Sequence, residues 1–227
     1  MKKGIYSTGK TNTGTKIVST VQRNSGIAKP QNDAKNNDES GKSNTVEAKP
    51  QHSSLLEKLF IDLLKDTYWV ETHLVEALKK MQKSATTAEL QDAFEDHRFA
   101  TQKHVSRLEK VFSLLGKTAE EKKCEAMEGI IKEAESMIKE TKDGTMTRDV
   151  SLIISAQKAE HYEIAAYGSL VQLALTLDKG NIASILEKTL WEEEDTDRLL
   201  TDIAESSINP QADEEPAKEE YEEVETL

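Results

Sequence analysis

The chain has 227 residues, 36% apolar and 32% charged, with a formal net charge of −12. That balance is polar for a globular domain, so part of the chain is expected to lie outside a packed core, and the acidity disfavours general binding to nucleic acid or anionic membranes. Ten Gly and four Pro argue against a loop-rich all-β protein, the single cysteine (Cys124) excludes an internal disulfide and fits a reducing cytosol, and no apolar run approaches the roughly 20 residues of a membrane helix. A soluble cytoplasmic protein is therefore expected.

The opening MKKGIYSTGK is basic but has no apolar stretch behind it, which is not the pattern of a secretory signal. Residues 1–50 are rich in Lys, Thr, Ser, Asn and Gly, lack periodicity, and carry nine Lys/Arg against four Asp/Glu. They are expected to form a disordered basic arm. Its plainest role is solubility; a sharper one is contact with nucleic acid or with an acidic surface, and both stay open.

Residues 51–206 are almost entirely helix-patterned. Ser53 or Ser54 is placed to cap a helix over about 55–82, and Thr86 or Thr87 opens a second to about 115, closed by Gly116. Thr118 begins TAEEKKCEAMEG, with acids in its first turn, and predicts a third helix to about 141, before KDGT. Thr147 starts a fourth to about 177, closed by DKGN; a fifth spans about 181–205 and stops before Pro210. Five such helices with short turns imply an all-α, up-and-down bundle. Residues 207–227 are expected to be a disordered acidic tail, since from Glu205 onward nine acids meet one lysine.

Turning each helix at 100° per residue shows what its apolar stripe carries. On the fourth helix Ile153, Ala156, Ile164, Tyr167, Val171 and Ala174 fall within about 40° of Glu160. Glu163 lies about 60° away on the same face, and His161 is at the flank. The first helix places Glu71 among Phe60, Leu64, Val75 and Leu78, while Glu57 and Glu76 point elsewhere. The second puts His97 among Leu90, Ala93, Thr101, Leu108, Val111 and Leu115, with His104 within about 20° of it as a spare. The fifth runs a stripe of Ile182, Leu186, Thr189, Leu200 and Ala204 through Glu193 and takes in Asp197 about 40° away; Glu192 and Glu194, about 100° to either side, read as solvated. The third carries only Glu128 near its face and is treated as an added element, with Cys124 a small core residue on its stripe. Tyr167 is the tyrosine placed nearest the inward acids.

A buried carboxylate is costly unless it meets a cation, a proton or a strong donor. A single Glu on an apolar stripe is more often a boundary residue or the partner of an arginine, and His104 alone reads as a satisfied histidine. Glu71, His97, Glu160, Glu163, Glu193 and Asp197 together are harder to explain separately, because ionised neighbours would repel one another. A shared pair of dications resolves all six. Oxygen-rich ligands with an imidazole suit iron or manganese better than structural zinc, and inward ligands from four helices are the layout of di-iron carboxylate bundles.

The segments LEKLFIDLLKDTYWVETHLVEALKKM, FEDHRFATQKHVSRLEKVF, KKCEAMEGII, SAQKAEHYEIAAYGSL and TLWEEEDTDRLLTDIAE resemble the YciF-like proteins, bacterial ferritin-like proteins linked to stress responses, over roughly residues 54–206. The resemblance implies a ferritin-like four-helix bundle with one additional helix, a homodimer and a dinuclear metal centre, usually taken to be iron. By position its ligands are Glu71, His97, Glu160, Glu163, Glu193 and Asp197, the same set the stripes select. The Glu-x-x-His spacing of ferritins is absent: TQKH, Thr101 to His104, has the spacing without the acid, and some relatives carry a carboxylate where this chain has Ala100. The resemblance speaks for fold and site more than for reaction; the chemistry expected of such a site is Fe(II) oxidation by oxygen or peroxide, as a ferroxidase or peroxide-reducing oxidoreductase. Its rival is a non-enzymatic, metal-stabilised structural or partner-binding bundle. A third reading, iron storage or DNA protection through the basic arm, is weighed down by the net charge.

Overall fold

The computed structural model describes residues 54–216; the expected basic arm and the part of the expected acidic tail from 217 onward lie outside the described residues. Within them every regular element is helical: α1 (Leu55–Ser84), α2 (Ala88–Leu114), α3 (Glu125–Glu140), α4 (Met146–Thr176), α5 (Gly180–Ile203), a π-helical turn (Ala204–Ile208) and α6 (Asn209–Asp213). None of these helices is long and apolar enough to cross a membrane.

The helix starts follow the chemistry of unsatisfied backbone N–H groups. Ser54 Oγ accepts from Glu57 N at 3.0 Å, Thr87 Oγ1 from Leu90 N at 3.4 Å and Thr145 Oγ1 from Arg148 N at 3.2 Å. α2 closes at Gly116, whose φ of +67° needs a residue without a Cβ penalty. At the end of α4 the left-handed position falls on Asp178, φ +57°, rather than on the glycine of DKGN, and Gly180 already begins α5.

Two boundaries differ from the sequence reading. α3 starts at Glu125, not near Thr118, with Cys124 as its cap. The stretch before it is held along α1: Lys122 N donates to Lys65 O at 3.1 Å, Lys65 Nζ meets Glu120 Oε2 at 2.5 Å, and Thr72 Oγ1 donates to Glu121 Oε1 at 2.8 Å. These tertiary partners outbid the first turn that the same acids would make. The chain also continues helically past Pro210, which sits in the first turn of α6, where its missing N–H costs nothing. Ile203, just before the π-helical turn, and Ile208, its last residue, are buried and keep that end docked.

α1, α2, α4 and α5 form the four-helix body. Phe60, Leu64, Leu108, Phe112, Leu170, Ile182 and Leu186 pack into one apolar layer, and Leu78, Met81, Leu90, Phe94, Leu152, Leu200 and Ile203 into another. α1 and α5 run from the first layer to the second, and α2 and α4 run back. α2 and α4 are therefore parallel, so the bundle is not a plain up-and-down run: α3 and its linkers are the crossover returning the chain between two helical hairpins, the connection of ferritin-like folds. α3 packs outside, through Cys124 and Met127, on Trp69, Val70 and Leu74 of α1 and Ala159 of α4. Burying a Leu or Phe is worth about 1.5–3 kcal/mol, so the two apolar layers hold the bundle, and the layer between them is free to carry something costly.

Candidate metal centre

That middle layer is polar. Glu71 on α1, His97 and His104 on α2, Glu160 and Glu163 on α4 and Glu193 on α5 are all buried, none more than 5% exposed. Each lies where its helix's apolar stripe passes from one layer to the other, so the packing that forms the bundle also drives these groups inward. They gather into two groups that share Glu193: His97, Glu160, Glu163 and Glu193, and Glu71, His104 and Glu193, in each of which one ligand atom per residue lies within 4.8 Å of the others.

The internal contacts do not satisfy these atoms. His97 Nδ1 is 3.1 Å from Glu160 Oε1 and its Nε2 3.6 Å from Glu193 Oε2, yet neither ring nitrogen forms a hydrogen bond. Glu71 Oε2, Glu160 Oε2 and both oxygens of Glu163 and of Glu193 also lack partners. Two positions are anchored. The Tyr167 hydroxyl donates to Glu71 Oε1, and His104 is fixed from behind: its Nε2 donates to Glu192 Oε2 at 2.9 Å while Arg107 grips Glu192 through Nη1 at 2.5 Å and Nη2 at 2.8 Å. With Nε2 so engaged, Nδ1 faces inward, 2.8 Å from Glu193 Oε1 and 3.6 Å from Glu71 Oε1.

The charges respond to this crowding. Burial raises Glu160 to about 7, only partly offset by His97. Burial and the neighbouring Glu193, Glu71 and Glu160 push Glu163 well above the usual carboxylate range, and burial raises Glu71 despite His104 and Tyr167. Burial opposes charge on the histidines, but Glu160 and Glu193 lift His97 to about 9, and Glu193 and Glu71 lift His104 to about 11. Glu192 goes the other way: against its partial burial, Arg107 and His104 hold it at about 2. The layer thus keeps protons that a dication would displace. Its donors, four carboxylates and two imidazoles with inward atoms unclaimed, could hold a metal ion.

Five of the six expected site residues, Glu71, His97, Glu160, Glu163 and Glu193, are brought together. Asp197 is not in either group: 22% exposed at its side chain, it receives Gln157 Nε2 at 3.3 Å and faces His161 Nε2 at 3.3 Å. His161 is exposed, as its flank position predicts. His104, held as a spare, completes the second group; its seven-residue spacing from His97 on one face was the signal for it. Glu192 corrects the sequence reading as well, being engaged by His104 and Arg107 rather than simply solvated. Tyr167 is where the stripe places it.

Residues 55–213 match the family described as "Domain of unknown function (DUF892)". Protein YciF of Escherichia coli (strain K12) is 41% identical over 159 residues, 70% of this chain and 95% of that protein. Its crystal structure, described as that of a stress protein, superposes with a TM-score of 0.65 over 68% of this chain and 97% of YciF. YcfI of Rhodopseudomonas palustris, for which a structural role has been put forward, is 34% identical with a TM-score of 0.64 over 67% of this chain and 96% of its own. A Xanthomonas campestris protein at 20% identity and a TM-score of 0.56 shares the fold.

Proposed function

This chain belongs to the DUF892 family, and on that premise we propose that it is a stress-response protein whose polar layer holds two metal ions, iron with manganese as the alternative, and handles oxygen or peroxide by Fe(II) oxidation. The observation that carries the reading is the set of unclaimed inward atoms on Glu71, His97, His104, Glu160, Glu163 and Glu193. When bound, two Fe(II) ions supply two electrons, which with two protons reduce peroxide to two waters or dioxygen to peroxide.

The chain's own residues do the rest. Glu193 belongs to both groups and would help to hold both ions. His97 offers a neutral nitrogen to one position and His104 Nδ1 to the other, the latter aimed by Glu192 and Arg107. The Tyr167 hydroxyl fixes Glu71 Oε1 and leaves Oε2 for metal. The two apolar layers exclude water on both sides, which strengthens each charge interaction within. We further hold the protein to be a cytoplasmic homodimer; half-exposed Phe99 on α2 and Trp191 on α5, 44% and 56% exposed, offer apolar surface for a second copy, and light scattering tests this.

The test is anaerobic loading with Fe(II), elemental analysis, then addition of peroxide with absorbance followed. About two metals per chain and rapid oxidation are expected, with both lost in a Glu160→Ala/Glu193→Ala double variant. If that variant and the wild type behave alike, the redox reading is wrong. The second reading, a metal-stabilised structural bundle, is favoured by the position of the centre between two sealed apolar layers; metal removal would then lower the melting temperature with no oxidant consumed.

A further inference from the structure

A cavity of about 20 Å³ lies between α1, α3 and α4 and reaches the polar layer at His97, Glu160 and Glu163. Its walls are otherwise almost wholly apolar, and short side chains make the room: Ala77 on α1, Ala134 on α3, Ala156 and Ala159 on α4. All four alanines are buried, and Glu160 Oε2 and both Glu163 oxygens, at its polar end, have no hydrogen-bond partner. The space suits one or two water-sized molecules, but a water needs two to four polar partners, and apart from the His97, Glu160 and Glu163 end the lining offers only Ser155, whose hydroxyl proton is already given to Ser151 O at 2.9 Å. Peroxide, with two donors and two acceptor oxygens, would lose hydrogen bonds along such walls, and a hydrated metal ion would lose far more. A small apolar molecule loses nothing.

We propose that this cavity binds dioxygen and delivers it to the carboxylates, with α3 as its outer wall. The crossover helix thereby has a role besides returning the chain: it closes a dry pocket that the four-helix body alone would leave open. The delivery half rests on the reading of the polar layer as an oxidant-handling metal centre; the binding half does not. In that reaction two Fe(II) give two electrons and dioxygen takes them with two protons to become peroxide, so dioxygen is consumed upstream of any peroxide step.

The first measurement uses the metal-free full chain with labelled alanine methyls under dissolved dioxygen, whose paramagnetism broadens nearby signals. Ala77, Ala134 and Ala159 should broaden severalfold more than Ala174 and Ala183, which are buried in the other apolar layer. Equal broadening overturns the proposal. The second uses Ala134→Leu, which fills the cavity from α3, with Ala159→Val as the replacement should the first not fold. The filled variant should lose the selective broadening and, once loaded with Fe(II), react with dioxygen about tenfold more slowly while peroxide oxidation and Fe(II) binding change less than twofold. Dioxygen oxidation at the wild-type rate overturns delivery through this cavity. Should the Fe(II)-loaded wild type consume neither oxidant, the metal reading and the delivery fail together, and methyl broadening alone still decides the binding site.

Discussion

His104 and Glu192 are joined by a 2.9 Å hydrogen bond from Nε2 to Oε2, linking the inner face of α2 to the flank of α5 across 88 residues of sequence. The bond turns His104 Nδ1 toward Glu71 and Glu193, and Arg107 holds Glu192 in place from outside. Supports of this kind orient a ligand and raise its basicity, and their loss typically costs 10- to 100-fold in metal affinity. Glu192→Gln or Arg107→Ala should therefore weaken metal binding by about that factor at one of two positions while the metal-free fold persists. Competition titration with a chromophoric chelator measures this; unchanged affinity would remove Glu192 from the account.

Metal stoichiometry should separate the shared ligand from the private ones. His104→Ala is expected to reduce two bound metals per chain to one, since it belongs to a single group, whereas Glu193→Gln should reduce occupancy at both. Elemental analysis after anaerobic loading gives the answer. Equal losses in the two variants would contradict a shared Glu193.

The centre should couple stability to pH in opposite senses with and without metal. Glu160, raised to about 7 from its ordinary 4.5, favours the folded state in its protonated form, so its contribution is lost as pH rises from about 4.5 to 7. His97, raised to about 9, contributes fully below its ordinary 6.5 and is lost as pH rises through 9. The metal-free protein should accordingly melt at lower temperature at pH 9 than at pH 6. Metal must displace those protons, so the rise in melting temperature on adding redox-silent Mn(II) should grow with pH over that range. A rise independent of pH would mean that metal binds elsewhere.

Tyr167→Phe removes the hydroxyl that donates to Glu71 Oε1. Leaving a buried acceptor without its donor costs about 1–3 kcal/mol. Chemical denaturation of the metal-free variant should show a loss in that range, and metal loading should recover part of it; no loss would show that the tyrosine merely fills space.

Asp149, fully buried on α4, receives Thr86 N at 2.6 Å, Thr87 N at 2.9 Å and Thr87 Oγ1 at 2.8 Å, so it caps α2 from another helix and fixes the α1–α2 hairpin against α4. Asp149→Ala should destabilise the protein by about 2 kcal/mol or more. Urea unfolding followed by circular dichroism is the check, with Asp149→Asn expected to fall between the two.

The sequence by itself determined which way each side chain points. Stripe periodicity is a property of one helix, and it was sufficient to turn Glu71, His97, Glu160, Glu163 and Glu193 inward and His161 outward, because burial follows angle about the helix axis. It says nothing of height along a neighbouring helix. Asp197 has nearly the right angle but sits one turn, about 6 Å, beyond Glu193, level with Gln157 rather than with the other buried carboxylates and histidines. The same blindness hid the roles of His104 and Glu192, whose meeting depends on how α2 and α5 stand against each other. The late start of α3 and its role as crossover were also decided between elements, by Lys65 and Thr72 holding the acids that would have begun the helix and by the apolar layers that set each helix's direction. Angle is local and free energy of burial reads it directly; height, partner and direction belong to the packed bundle.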